Sequence, residues 1–360
     1  MSSGTQEVSN RGVSVWLDYL SRDLINSGGL QQLIDEKNVV GVTTNPSIFQ
    51  KSITESAVYD LSGFGDVDTA VWTLISNDVR DACDILKPTY EESGGVNGRV
   101  SIEVDPRLAH DFLKTRLEAE RLFRLVNREN VMIKIPAVEE SLPAITEVLA
   151  QGISVNVTLI FSHQRYHEVM NAFTDGIEAA KNNGHDISKI HSVASFFVSR
   201  IDTAVDELLE QNGSEEALSL CGRVAASYTQ LAYQECQNFF DNNQRWIELE
   251  EAGGNRQRPL WASTGTKNPS YPPTLYVDSL VFPGTVNTMP EPTLTALFEN
   301  SNDELYPREV SYQNAGLILE KLSELGISMD DVVRQLEQEG VEKFIASWED
   351  LLSDIQGKLS

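Results

Sequence analysis

The sequence predicts an α/β protein: one (β/α)8 TIM barrel with additional C-terminal helices. Three observations predict it. Short apolar and β-branched runs alternate with amphipathic runs from one end of the chain to the other, as parallel strands alternate with helices. Eight such runs can be counted, the number that closes the barrel. No Pro-, Ser- or Gly-rich linker divides the 360 residues, so 1–360 reads as a single domain of a length common for α/β barrels.

In chain order, the strands are read at VSVWLDY (13–19), VVGVTTN (39–45), RVSIEVD (99–105), VMIKIPA (131–137), SVNVTLIF (154–161), HSVASFF (191–197), RPLWAST (258–264) and TVNTMP (285–290). Each is too short for a helix and rich in Val, Ile or Thr. Helix starts lie between them. Asp105 with Pro106 reads as a cap and first helical residue before Leu108, Phe112, Leu113 and Leu117, and Ser162 as the cap of HQRYHEVMNAF. KPTYEESGGVNG (87–98) and EEAGGNRQRP (250–259) are read as loops on the bottom face of the barrel, each before a strand. The closing helices, about 309–358, carry Ser328 and Asp331 as a capping pair and an apolar stripe of Val333, Leu336, Val341, Phe344, Ile345, Trp348 and Leu352.

Composition narrows the function classes. With 28 basic and 54 acidic residues the net charge is −26, which opposes nucleic acid and anionic membranes, so neither is expected as a partner. No run approaches the ~20 apolar residues of a membrane span. The start, MSSGTQEVSNRG, has neither the basic nor the apolar region of a secretory signal, so a cytoplasmic location is expected. Cys83, Cys221 and Cys236 are too scattered for a disulfide framework or a CxxC site. His163 and His167 share a helix face, but no third ligand accompanies them and no metal is expected.

Nearly every strand carries a polar residue near its C-terminal end, where barrel strands converge on one mouth. These are Asp18, Asn45, Glu103, Lys134, Asn156 with Thr158, and Ser195, with Arg200 just past the sixth strand and Lys267 just past the seventh. Taken singly, each has an ordinary explanation as a cap, a turn or a surface charge. Their recurrence at the same end argues for a site, because burial at these positions would otherwise select apolar residues.

Lys134 is the most informative of them. It sits alone among apolar residues, and a buried ammonium is costly unless it is paired or gives up its proton. A lysine in an apolar barrel beside a proton-moving carboxylate suits carbinolamine and Schiff-base chemistry. A buried ion pair with Glu103 or Asp18 is the alternative.

The segments GVTTNPS, SIEVDPRLA, VMIKIPA, NVTLIFS and SFFVSRID, in this order across residues 41–202, resemble the transaldolase family. The resemblance implies a (β/α)8 class I aldolase that moves a dihydroxyacetone unit between sugar phosphates of the pentose phosphate pathway without a metal or organic cofactor. It makes Lys134 the Schiff-base lysine and Asp18 the acid/base at the substrate hydroxyl whose C–C bond breaks. Glu103 becomes the carboxylate that moves protons through a water, and Asn45, Asn156 and Thr158 the groups that orient water and bound dihydroxyacetone. Ser195, Phe197 and the phosphate-binding Arg200 come from SFFVSR. Beyond residue 203, LWASTGTKNPSYPP and the closing helices resemble the longer bacterial form, with Lys267 where shorter members place a second arginine.

Three other readings stand beside this one. A fructose 6-phosphate aldolase-like lyase would release dihydroxyacetone, and in that branch a tyrosine stands at the place of Phe197. A retaining glycosidase would use Asp18 and Glu103 but leave Lys134, Arg200 and Lys267 unexplained. A catalytically silent barrel would need Lys134 to be merely ion-paired. A monomer or homodimer is expected.

Overall fold

Each of the eight apolar runs becomes a strand, and the strands close in chain order into a parallel barrel: β1 Val13–Leu17, β2 Val39–Val42, β3 Arg99–Glu103, β4 Val131–Pro136, β5 Val155–Ile160, β6 Ser192–Phe197, β7 Arg258–Ala262 and β8 Thr285–Met289. This is a computed structural model, which describes residues 3–300 and 311–359. Helices cover the outside of the barrel, which is why its strands read as continuous apolar runs rather than alternating ones. Every residue of β1, β3, β4, β5, β6 and β8 is buried. Most strands end a residue or two before the sequence suggested. The residues trimmed, Asp18 and Asn45 among them, lie where the chain leaves the sheet.

Register places the polar residues side by side. Lys134 on β4 is flanked by Glu103 on β3 and Asn156 on β5. Lateral neighbours in a sheet point the same way, so all three share one row facing into the barrel. Beneath them the interior is packed. Trp16 is fully buried, and a Cβ at Gly41 would fall 2.4 Å from its ring, so only glycine fits there.

Two local expectations fail. Asp105 caps a single 3-10 turn, Pro106–Leu108, and the helix proper is Phe112–Val126 with Asp111 as its cap. Its buried face is Thr115, Ala119, Leu122 and Val126, while Leu113 and Leu117, read as part of the apolar stripe, are exposed. The stretch 87–98, read as a loop, begins with a short helix, Lys87–Glu92. Ser162 caps its helix as expected, its hydroxyl accepting from Arg165 N at 3.0 Å.

The chain closes with helices Tyr312–Glu324 and Met329–Leu359. Residues 309 and 310 of the predicted closing segment lie outside the described residues. Ser328 Oγ accepts from Asp331 N at 3.2 Å, starting the long helix as its sequence suggested. Of the predicted stripe, Ile345 and Leu352 are half-buried and the rest buried. Trp348 packs on Trp72 with ring centroids 4.8 Å apart, and a Cβ at Gly340 would come within 3.3 Å of Phe161 and Leu159. The helix thus crosses close over the end of β5 and carries Phe344 into the barrel mouth.

Candidate active site

Lys134 Nζ lies 3.0 Å from Glu103 Oε2 and donates to the Thr44 carbonyl at 3.0 Å. The Glu103 contact is a close meeting of charges without the angle of a hydrogen bond, and neither Glu103 oxygen has a hydrogen-bond partner among the described residues. Both side chains are almost wholly buried. Burial drives the Glu103 pKa up to about 7; the Lys134 charge opposes the rise and the Asp18 charge adds to it.

Asp18 continues from β1, its N–H donating to Met289 O. Thr43 Oγ1 donates to Asp18 Oδ1 at 2.9 Å and lies 2.6 Å from Thr288 Oγ1. Burial raises the Asp18 pKa; Lys134, the Thr43 hydrogen bond, Lys267 and Arg200 counter the rise in part. Asn45 caps the helix Pro46–Glu55, its Oδ1 accepting from Ile48 N at 2.9 Å. The Asn156 amide is bonded at both ends: Nδ2 donates to Ser101 Oγ at 3.0 Å and Oδ1 accepts from Ser195 Oγ at 2.7 Å. Thr158 Oγ1 is buried with no partner among the described residues.

Two strand ends here hold strained backbone. Leu159 (φ 61°) and Ser263 (φ 56°) are non-glycine residues in the left-handed region, at the mouth ends of β5 and β7. Next to Leu159 the β5–β6 register shifts between Val157 and Ile160, a bulge of the kind that re-aims side chains.

A cavity of about 210 Å³ opens above Lys134. Asp18, Asn45, Lys134, Thr158, Ser195, Phe197, Arg200 and Lys267 line it, whereas Glu103 and Asn156 lie behind Lys134 and Ser195. Arg200 places its guanidinium carbon 5.2 Å from the Phe197 ring and 6.0 Å from the Phe344 ring, and its Nη1 has no partner among the described residues. Burial lowers the Arg200 pKa against the charges of Glu339 and Asp18.

All the predicted site residues therefore meet at one mouth. Sequence reasoning missed four participants: Thr43, which holds Asp18; Thr288, beside Thr43; Thr44, whose carbonyl holds Lys134; and Phe344, whose ring centroid is 5.6 Å from Lys134 Nζ. Alternation along GVTTN, which puts Thr43 on the same side as Asn45, could have found Thr43. Phe344 read as helix packing. The two helical histidines serve local contacts: His163 stacks on Tyr228 at 3.9 Å, and His167 bonds Asn171 at 3.1 Å. Among the described residues no group of three or more His, Cys, Asp or Glu could hold a metal.

A buried amine against a carboxylate of raised pKa, a second carboxylate across the cavity and a cation at its rim can form an imine, move protons and hold an anion. Residues 15–355 match the family described as Transaldolase/Fructose-6-phosphate aldolase. The chain is 53% identical over 366 residues to a protein named Transaldolase from Arthrobacter sp. (strain FB24), covering 100% of this chain and 98% of that one. Proteins of the same name from Mycobacterium ulcerans (strain Agy99) and Mycobacterium tuberculosis (strain ATCC 25618 / H37Rv) are 54% and 52% identical, each over 98% of this chain and 96% of the relative.

Proposed function

The chain belongs to the transaldolase/fructose-6-phosphate aldolase family and acts as a transaldolase, and we propose that Lys134 carries the transferred unit as a Schiff base. The observation that supports this most is the 3.0 Å contact between the Lys134 amine and Glu103 beneath the cavity. A carboxyl group with a pKa near 7 can accept the ammonium proton near neutral pH and return it later.

The neutral amine attacks the carbonyl of a ketose phosphate, sedoheptulose 7-phosphate or fructose 6-phosphate. Glu103, through a water, carries the protons by which the carbinolamine loses water to give a protonated imine. That cation is an electron sink. Asp18, its basicity raised by burial, takes the C4 hydroxyl proton, the C3–C4 bond breaks, and the aldose phosphate leaves. A three-carbon enamine stays bound to Lys134. Glyceraldehyde 3-phosphate or erythrose 4-phosphate enters, the C–C bond forms in reverse, and hydrolysis frees the new ketose phosphate.

Arg200 and Lys267, at the cavity rim, hold the substrate phosphate, and Thr158, Ser195 and Asn45 orient the dihydroxyacetone unit. Asn156 acts through Ser195, which it fixes by hydrogen bond. Barrel and closing helices work as one domain, since Phe344 completes the cavity wall. No helix among the described residues is long and apolar enough to cross a membrane. We propose a cytoplasmic enzyme of the pentose phosphate pathway that works as a monomer or homodimer.

The test is transfer from fructose 6-phosphate to erythrose 4-phosphate. The parent forms sedoheptulose 7-phosphate and glyceraldehyde 3-phosphate, and Lys134→Arg, whose guanidinium stays protonated, forms neither. Transfer by Lys134→Arg at the parental rate would refute the role given to Lys134.

A further inference from the structure

Two buried hydroxyls meet at the end of β1. Thr43 follows β2 and Thr288 lies on β8, the strands on either side of β1, and Asp18 leaves β1 between them. Backbone bonds fix the meeting: Thr43 N donates to Leu17 O and Asp18 N to Met289 O, both at 2.9 Å. Each threonine is only 2% exposed. A valine of nearly the same shape would fill either place without a polar group to satisfy.

Counting protons gives the pair a direction. A threonine hydroxyl has one proton to donate, and an ionised carboxylate can only accept. The Thr43 proton is therefore committed to Asp18 Oδ1 at 2.9 Å. The 2.6 Å contact between Thr43 Oγ1 and Thr288 Oγ1 must then be made with the Thr288 proton. The chain runs from Thr288 to Thr43 to Asp18. A hydroxyl that accepts a hydrogen bond becomes a stronger donor, so Thr288 reinforces the bond that Thr43 gives.

Among the described residues no other group donates a hydrogen bond to the Asp18 carboxyl. Lys134, Lys267 and Arg200 attract it and Glu103 repels it, all through charge. Charge favours ionisation or opposes it without fixing the plane of the group, whereas a hydrogen bond has a preferred angle. All three members of the chain line the cavity above Lys134. With Oδ1 engaged, Oδ2 is the oxygen left to meet a substrate hydroxyl.

We infer that Thr43 and Thr288 are positioning residues for the transfer. Their chain holds the Asp18 carboxylate by Oδ1, so that Oδ2 takes the C4 hydroxyl proton as the C3–C4 bond breaks and returns it to the carbonyl oxygen of the acceptor as the new bond forms. The inference rests on the roles given above to Lys134 and Asp18. It gives the two threonines a part in breaking and making the C–C bond and none in forming the imine.

The experiment compares two reactions of the full chain. Transfer from fructose 6-phosphate to erythrose 4-phosphate needs Asp18, whereas borohydride trapping of dihydroxyacetone on Lys134 needs only the imine, because dihydroxyacetone has no C4 hydroxyl. Thr288→Val and Thr43→Val are each expected to lower kcat for transfer about tenfold or more, with KM within about twofold of the parent. Trapping should stay at the parental rate in both, which also shows that the mouth is folded. Thr288→Ser keeps the hydroxyl and should transfer like the parent. Joining Thr43→Val to Thr288→Val should cost no more than Thr43→Val alone, since Thr288 acts through Thr43. Parental kcat in Thr288→Val, equal losses of transfer and trapping, a Thr288→Ser variant as slow as Thr288→Val, or additive losses in the double variant would each overturn the inference. Failure to trap the parent would instead refute the Schiff-base role of Lys134, and this inference would fall with it.

Discussion

Lys134 Nζ and Glu103 Oε2 stand 3.0 Å apart, on neighbouring strands and in register, with side chains only 5% and 3% exposed. A pair this close can exchange a proton once either side chain reorients or a water bridges them. Glu103→Ala is therefore expected to lower kcat by ~10²- to 10⁴-fold, the usual worth of a positioned proton carrier, with a smaller change in KM. Because the folded pKa of Glu103 is raised to about 7, its carboxylate form is lost as pH falls through that value, and the kcat of the parent should fall with it. Steady-state kinetics across pH 5–9 measure both. Normal turnover with only a raised KM in the variant would make Glu103 a binding residue.

Arg200 sits at the cavity rim with one guanidinium nitrogen unpartnered among the described residues. Arg200→Ala should raise KM for phosphorylated substrates about tenfold or more, as loss of a charge-assisted pair worth ~1.5–3 kcal/mol implies, while sparing unphosphorylated aldehydes. Lys267→Ala should do the same more weakly. A Lys267 variant with parental KM would shift the second phosphate contact to the backbone N–H groups of residues 264–266.

Phe344 bears on what happens to the enamine. Its ring lies 5.6 Å from Lys134 Nζ and, like Phe197, it forms cavity wall that offers no proton. The parent should release little dihydroxyacetone without an acceptor. Phe344→Leu, which keeps most of the buried volume but opens the wall to water, should raise that release several-fold, and Phe197→Tyr should raise it by adding a hydroxyl. An acceptor-free coupled assay for glyceraldehyde 3-phosphate over many turnovers reads the partition. An unchanged partition in both variants would reduce the two rings to packing.

The barrel was legible because parallel strands covered on both faces need apolar, β-branched runs, and eight such runs leave few alternatives. The mouth was legible because polar residues recur where those runs end. Less was written in the sequence about what crosses between elements. The Thr44 carbonyl that holds Lys134 is a backbone group, invisible to residue type. Phe344 has the same helical spacing as its packing neighbours, and only the close passage of Gly340 over Phe161 takes it into the mouth. The Asp105 signal marked a true cap, but of a 3-10 turn, because a Pro after an Asp starts either kind of helix.

The central claim is that Lys134 becomes covalently bound to substrate, and reductive trapping tests it most directly. Borohydride added with fructose 6-phosphate should inactivate the enzyme and leave a reduced adduct on the peptide bearing Lys134, found by peptide mass mapping, with no adduct when the sugar is omitted. An adduct on Lys267 instead, or full activity after borohydride and sugar together, would contradict the account.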